Sequence, residues 1–252
     1  MSLCSVAGEG PVRQGRAMMF RLAVPLLAFC AAPALAQSSD APPTGGHSGL
    51  SISGEATLLS DYRFRGISRS DADPAVQGQF TISLPNGLYA GTRATSLHHF
   101  AGHGDAEADL YAGYGTDIAP GTTLDAGLLY YWFPDATGHA GYFEPYVSVS
   151  HTLGPVEGTL GAKYAPSQKA IGSDDSLYLF GQLEAGIPAT PLTLTAEAGR
   201  QDSGTLGSYW NWSLGGRYAL GPLEAGLRYV DTNLPSRHRQ DATIVASLGF
   251  RF

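Results

Sequence analysis

Cysteine occurs at two positions, Cys4 and Cys30, both within the first 36 residues. A chain that starts after them has no disulfide framework, no cysteine zinc site and no thiol nucleophile. Charge is scarce too: Asp, Glu, Lys and Arg make up 15% of the 252 residues, where a soluble domain carries about 25%. Such a chain has little with which to cover a water-facing surface. Beyond the leader no apolar run approaches the roughly 20 residues of a membrane-crossing helix. Basic excess is also missing. From Gln37 onward twelve Lys and Arg stand against twenty-one Asp and Glu, a net charge of −9 that disfavours nucleic acid as a partner.

What the sequence has instead is 33 glycines, 13 tyrosines and an uneven start. Met18 to Ala36 read MMFRLAVPLLAFCAAPALA: Arg21 supplies a positive n-region, Leu22 to Ala32 a short apolar stretch, and Ala34-Leu35-Ala36 a small-residue cleavage signal. These features predict a signal peptide over 18–36, cut before Gln37. Residues 1–17 show no such pattern and read as an over-extended start, and 37–49 as a flexible polar linker. Two classes fit the composition of 50–252: a glycine-rich soluble β-sandwich and a barrel whose outer face meets lipid.

Period-2 alternation decides between them, recurring in twelve stretches of about ten residues separated by turn signals. Over Ala75 to Leu84, Val76, Gly78, Phe80, Ile82 and Leu84 share one face and Gln77, Gln79, Thr81 and Ser83 the other. Pro85-Asn86-Gly87 follows, a tight-turn signal, and 88–96 returns. Tyr209 to Leu220, Leu223 to Tyr229 and Asp241 to Phe252 repeat the pattern, and the remaining strands are expected near 51–67, 106–117, 122–133, 141–151, 156–166, 176–187 and 192–201. Connections alternate in length. Short turns fall at 85–87, 119–121, 153–155, 189–191 and 221–222, and longer polar ones at 68–73, 97–105, 134–140, 167–175, 202–208 and 232–240. Tyr130, Trp132, Phe133, Tyr209, Trp210, Trp212, Phe250 and Phe252 lie near strand ends, where interfacial aromatic girdles sit. The fold expected is an all-β, antiparallel, up-and-down transmembrane barrel of about 12 strands, with outer-membrane lipid around it.

Three segments carry a family likeness: Ser60-Asp61-Tyr62-Arg63-Phe64-Arg65-Gly66-Ile67-Ser68, Glu107 to Tyr114 (EADLYAGY), and Tyr229-Val230-Asp231-Thr232. Their order and spacing resemble the TorF-type porin family of Gram-negative bacteria, from about Ser53 to Phe252. The resemblance implies an outer-membrane, channel-forming barrel; it brings no catalytic residues and names no solute. The ending Phe250-Arg251-Phe252 resembles the aromatic C-terminal signal read by the barrel-assembly machinery, a partner during biogenesis.

If the apolar faces meet lipid, the opposite faces line the lumen. Their charged members are Glu55, Asp61, Arg63, Arg65, Arg93, Glu107, Asp109, Asp125, Glu144, Glu157, Lys163, Glu184, Glu197, Arg217, Glu224 and Arg228, ten acidic and six basic. Unpaired charges in a dry interior are prohibitive, so these groups must be hydrated in an open lumen or paired into a plug. A mildly acidic, water-filled lumen implies a porin passing small polar solutes or ions by diffusion, without a cofactor. Its alternatives are a non-conducting structural or interaction barrel and a lipid hydrolase. For the last, His151 and its neighbour Ser150 point to opposite faces, so no enzyme activity is expected. His98, His99, His103 and Asp105 share the 97–105 connection, and their types suit zinc or copper. A solvated surface loop is the competing reading.

Overall fold

The computed structural model describes residues 50–252, apart from 101, 139, 205, 206 and 238. The leader and linker expected over residues 1–49 lie outside the described residues. Twelve antiparallel strands close into a barrel: β1 Ser51–Leu59, β4 Ala75–Ser83, β5 Leu88–Phe100, β6 Gly104–Ala119, β7 Thr122–Trp132, β8 Tyr142–Leu153, β9 Val156–Ala165, β10 Ser176–Gly186, β11 Leu192–Ser203, β12 Gly207–Leu220, β13 Leu223–Thr232 and β14 Thr243–Arg251. Two short strands, β2 Arg63–Phe64 and β3 Ile67–Ser68, form a separate hairpin between β1 and β4. Each barrel strand pairs with its sequence neighbour, and β1 pairs with β14 from Glu55↔Arg251 to Leu59↔Ser247. Phe252 completes the seam: its N–H donates to Gly54 O at 3.0 Å and its carbonyl accepts from Gly54 N at 2.9 Å.

The expected alternation holds around the barrel. Leu160, Leu214 and Ile244 stand outward, 72%, 64% and 68% exposed, on strands whose opposite faces are polar. An apolar girth of this extent is a surface for hydrocarbon, since water-soluble monomers rarely carry so large a patch. No helix among the described residues is long and apolar enough to cross a membrane. The turn at Asn86-Gly87 forms as expected, with Leu84 N donating to Leu88 O at 2.7 Å and Gly87 N to Leu84 O at 3.0 Å. Both ends of the barrel chain lie at the short-turn end, Ser51 beside Ser83 and Arg251 N bonded to Pro222 O at 2.8 Å.

Three sequence expectations are corrected. The first strand, expected over 51–67, stops at Leu59, and Asp61 to Ser70 turns into the barrel. Arg65 and Gly66 take positive φ of 50° and 84° at the tip of the β2–β3 hairpin, the pair of left-handed residues that a two-residue type I′ turn requires. A Cβ at Gly66 would also collide with Thr232 Cγ2. The 97–105 connection is instead a strand pair, β5 reaching Phe100 and β6 beginning at Gly104, with a register shift after Ser96. Finally, Phe133 and Tyr209 are buried at 4% and 3% exposure and face the interior, while Trp132, Trp210 and Trp212 face out.

Aromatic rings fill one wall of the interior by lying over glycines of neighbouring strands. Tyr146 crosses Gly127 so closely that a Cβ there would collide with its Oη and stand 2.5 Å from the Ala112 carbonyl oxygen. Gly127→Val should therefore destabilise the refolded barrel by about 1–3 kcal/mol, the usual range for overpacking. Urea titration followed by tryptophan fluorescence measures it; an unchanged midpoint would show that the ring has room to move.

Candidate functional site

The interior divides into two halves of different character. Toward the long-loop end the inward hairpin and the surrounding wall bury their side chains against one another. Arg65 donates from Nη2 to both Glu144 oxygens at 2.7 Å and from Nη1 to Gln201 Oε1 at 2.7 Å. Its guanidinium lies 4.7 Å from the Phe64 ring centroid and 4.3 Å from that of Tyr178, while Tyr209 Oη donates to its carbonyl at 3.2 Å. Arg69 pairs with Glu107 and covers Phe64 at 3.5 Å. Tyr62 Oη donates to Glu107 Oε1 at 2.9 Å. Burial first, and then the Glu107 charge, push the Tyr62 hydroxyl well above its ordinary pKa, which keeps the proton on the donor.

The hairpin's base is held the same way. Arg63 Nε donates to Asp61 Oδ2 at 2.5 Å and Nη1 to the Asp241 carbonyl at 2.8 Å, and Asp61 accepts from Ser68 Oγ at 2.6 Å. Strand to strand, Arg93 meets Asp109 through Nε at 2.9 Å and Nη2 at 2.7 Å. Nearer the short turns Tyr89 Oη donates to Asp125 Oδ1 at 2.7 Å and also bonds Tyr146. Lys163 is buried with its Nζ 5.7 Å from the Phe180 centroid. Around the hairpin charge is thus neutralised in pairs rather than hydrated.

Toward the short-turn end a cavity of about 130 Å³ remains, against β10–β14 and β1. Glu55, Glu184, Glu197, Glu224, Arg217, Arg228 and Arg251 supply its charge. Arg217 Nη2 donates to Glu184 Oε2 at 2.9 Å. Arg251 bridges Glu55 at 3.1 Å and Glu224 at 2.9 Å. Arg217 Nη1 stands 3.6 Å from Glu224 Oε1, beyond hydrogen-bond reach, and its Nη1 and Nε are buried with no hydrogen-bond partner among the described residues.

Of the sixteen charged residues expected in the lumen, thirteen occupy inward strand positions, and Asp61, Arg63 and Arg65 enter on the hairpin. Glu157 lies near the short-turn rim, accepting from Thr152 Oγ1 at 2.9 Å. Two interior cations escaped the sequence reading. Arg251 shares a face with Thr243, Val245 and Ser247, so alternation alone would have found it; Arg69 lies in a segment without periodicity. His98 pairs with Asp73, and the His103 ring meets Phe133 edge-on at 4.6 Å. Among the described residues no three His, Cys, Asp or Glu side chains gather to hold a metal. His151 Nδ1 shares a 2.8 Å hydrogen bond with Thr122, and Ser150 one of 2.9 Å with Thr159.

The sequence pattern of the family described as "Bacterial protein of unknown function (Gcw_chp)" matches residues 43–248. No curated protein matches the sequence. Among solved structures, the fold is similar to that of the NanC porin, at 12% identity and a TM-score of 0.55, covering 80% of this chain and 99% of that one. It is equally similar to the KdgM porin solved in complex with disordered oligogalacturonate, at 8% identity and a TM-score of 0.55, covering 80% and 97%.

The Arg65–Glu144 pair is the deepest tie between hairpin and wall, with side chains 4% and 1% exposed. Glu144→Ala should cost about 3–5 kcal/mol, because it leaves a buried guanidinium without its counter-charge. Glu55→Ala removes one of two partners of an Arg251 that is 32% exposed and should cost about 1 kcal/mol or less. Equal urea midpoints for the two variants would show that the buried pair does not hold the hairpin.

Proposed function

Because the chain belongs to the Gcw_chp family of bacterial proteins and closes into a porin-like barrel, we propose that it is an outer-membrane channel that passes small polar solutes or ions by diffusion. The observation that carries this reading is the combination of an apolar outer face with an interior of charged side chains from end to end. The likeness to TorF-type porins points the same way. In this reading the leader 18–36 delivers the chain for export, Phe250 and Phe252 serve the assembly machinery, and lipid surrounds the girth. Solutes are moved and none is transformed.

The packed half makes the channel a gated one. Asp61 to Ser70 fill the long-loop half with buried side chains, and in this reading conduction requires the hairpin to leave. Lumen charge sets ion preference. Adding Arg69 and Arg251 to the expected set leaves ten carboxylates against eight cations, a mild cation preference. That excess opposes a polyanion such as the oligogalacturonate found with KdgM.

Planar bilayers test this directly. The wild-type barrel should show rare, brief openings, and a barrel in which 61–73 is replaced by a short Gly-Ser turn should conduct steadily, with a reversal potential favouring cations in a salt gradient. Correctly inserted barrels that stay silent after hairpin removal would overturn the channel reading in favour of a non-conducting interaction barrel.

A further inference from the structure

The seat that Arg65 occupies is built by the barrel wall and not by the hairpin. Glu144 on β8 is held by Tyr131 Oη, which donates to its Oε2 at 2.9 Å. Gln201 on β11 donates from Nε2 to Ser176 Oγ at 2.5 Å, which turns its Oε1 toward Arg65. The Tyr178 ring, 4.3 Å from the guanidinium, stacks on Phe180 at 5.8 Å, and its Oη donates to Asn211 at 3.1 Å. None of these supports involves the hairpin. A carboxylate, an amide oxygen and an aromatic face therefore keep their supports when the hairpin leaves, and together they suit a flat, forked cation. The seat of Arg69 differs, because its Glu107 is also bonded by Tyr62, which departs with the hairpin.

We propose that the vacated Arg65 seat is a binding site for a small solute bearing a guanidinium group, and that the hairpin is its internal competitor. One planar fork reaches both Glu144 oxygens and Gln201 Oε1, each at 2.7 Å, while lying against Tyr178. An ammonium group is a point charge with no flat face to lay on that ring. A neutral urea group loses the charge-assisted bond, which is roughly twice as strong as a neutral one. Lys163, buried on β9, also attracts Glu144, so positive charge alone is not what the seat lacks, and the shape of the cation decides. Leaving buried Glu144 without its partner is costly, and a solute that fills the seat offsets that cost. Such a solute binds the open barrel and not the closed one, so by mass action it holds the hairpin out.

The inference rests on the gated-channel reading above but is measured apart from conduction. Ser68 is fully buried in the hairpin, and the thiol of a Ser68→Cys barrel is the only one after the leader. A charged thiosulfonate reaches it when the hairpin is out. L-arginine at about ten times its dissociation constant should speed labelling of the detergent-refolded barrel about tenfold. L-lysine and L-citrulline, which share its backbone and change the side-chain tip, should not. Equal acceleration by lysine would reduce the effect to ion screening and overturn the proposal, as would one unchanged rate in all three solutes. Equilibrium dialysis of the barrel with 61–73 replaced by a Gly-Ser turn is a second measurement, independent of how the Ser68→Cys barrel folds. Arginine should bind it at least ten times more tightly than lysine or citrulline, and Glu144→Gln should erase that lead. Citrulline retained as well as arginine, or a lead that survives Glu144→Gln together with Gln201→Leu, would also overturn the proposal. Steady conduction by the hairpin-free barrel without arginine preference removes the seat and keeps the channel; arginine preference in a barrel that stays silent keeps the seat and removes the channel.

Discussion

A polypeptide crossing hydrocarbon has to satisfy every backbone N–H and C=O internally, and for strands only closure does this. The β1–β14 seam is therefore the condition on which the rest of the molecule depends. Once the cylinder closes, its two faces have opposite tasks. The outer one must be apolar, so the interior becomes the only place at membrane depth where charge is tolerated. Inside a narrow cylinder each charge must then be hydrated or matched. The long-loop half does the second, and the short-turn half leaves room for the first.

Matching by ion pairs has a consequence that apolar packing would not. A buried pair adds little net stability over well-fitted hydrophobic groups, because removing two charges from water offsets much of their attraction. Arg65–Glu144 and Arg69–Glu107 instead fix where the hairpin sits, and breaking either pair in a dry interior is expensive. Water changes that balance. As it enters, both partners regain hydration and their mutual attraction weakens with the rising dielectric, so a charged plug separates from a wetted wall at much less cost than a dry one. An apolar plug has the reverse behaviour, since wetting its surface is the unfavourable step. A hairpin held by arginines is thus suited to being both firmly placed and removable, the property that the proposed gated channel requires.

Much of this architecture was legible in the sequence because one face of each strand is apolar and a one-residue slip would invert it. Val76, Phe80 and Ile82 against Gln77, Gln79 and Thr81 leave a single way round. The hairpin was hidden by the same rule. Asp61, Arg63 and Arg65, with Tyr62 and Phe64 between them, continue the alternation of the strand before them, and period-2 patterning cannot distinguish a strand that runs on from one that folds back inside. Only Gly66, at a turn that needs positive φ, marks the break. Phe133 and Tyr209 misled for a related reason. Aromatic rings favour both the interfacial girdle and the space over an interior glycine, and composition near a strand end does not separate the two. The histidines of 97–103 read as a loop because glycine and histidine are poor strand signals, whereas the pairing of Phe100 with Gly104 extends the ladder past them.

The position of the cavity follows from how the interior volume is shared. Tyr89, Tyr111 and Tyr146 project from β5, β6 and β8 and fill that wall over Gly91, Gly113 and Gly127. Across the barrel the inward positions between the charged ones include Ser213, Gly226, Ser247 and Gly249, residues too small to reach the centre. The space left by this asymmetry lies against the wall that bears Arg217, Glu224 and Arg251, so charge and free volume coincide. In the proposed channel the tyrosine side offers a solute the less room, and the ion pairs border the remaining space.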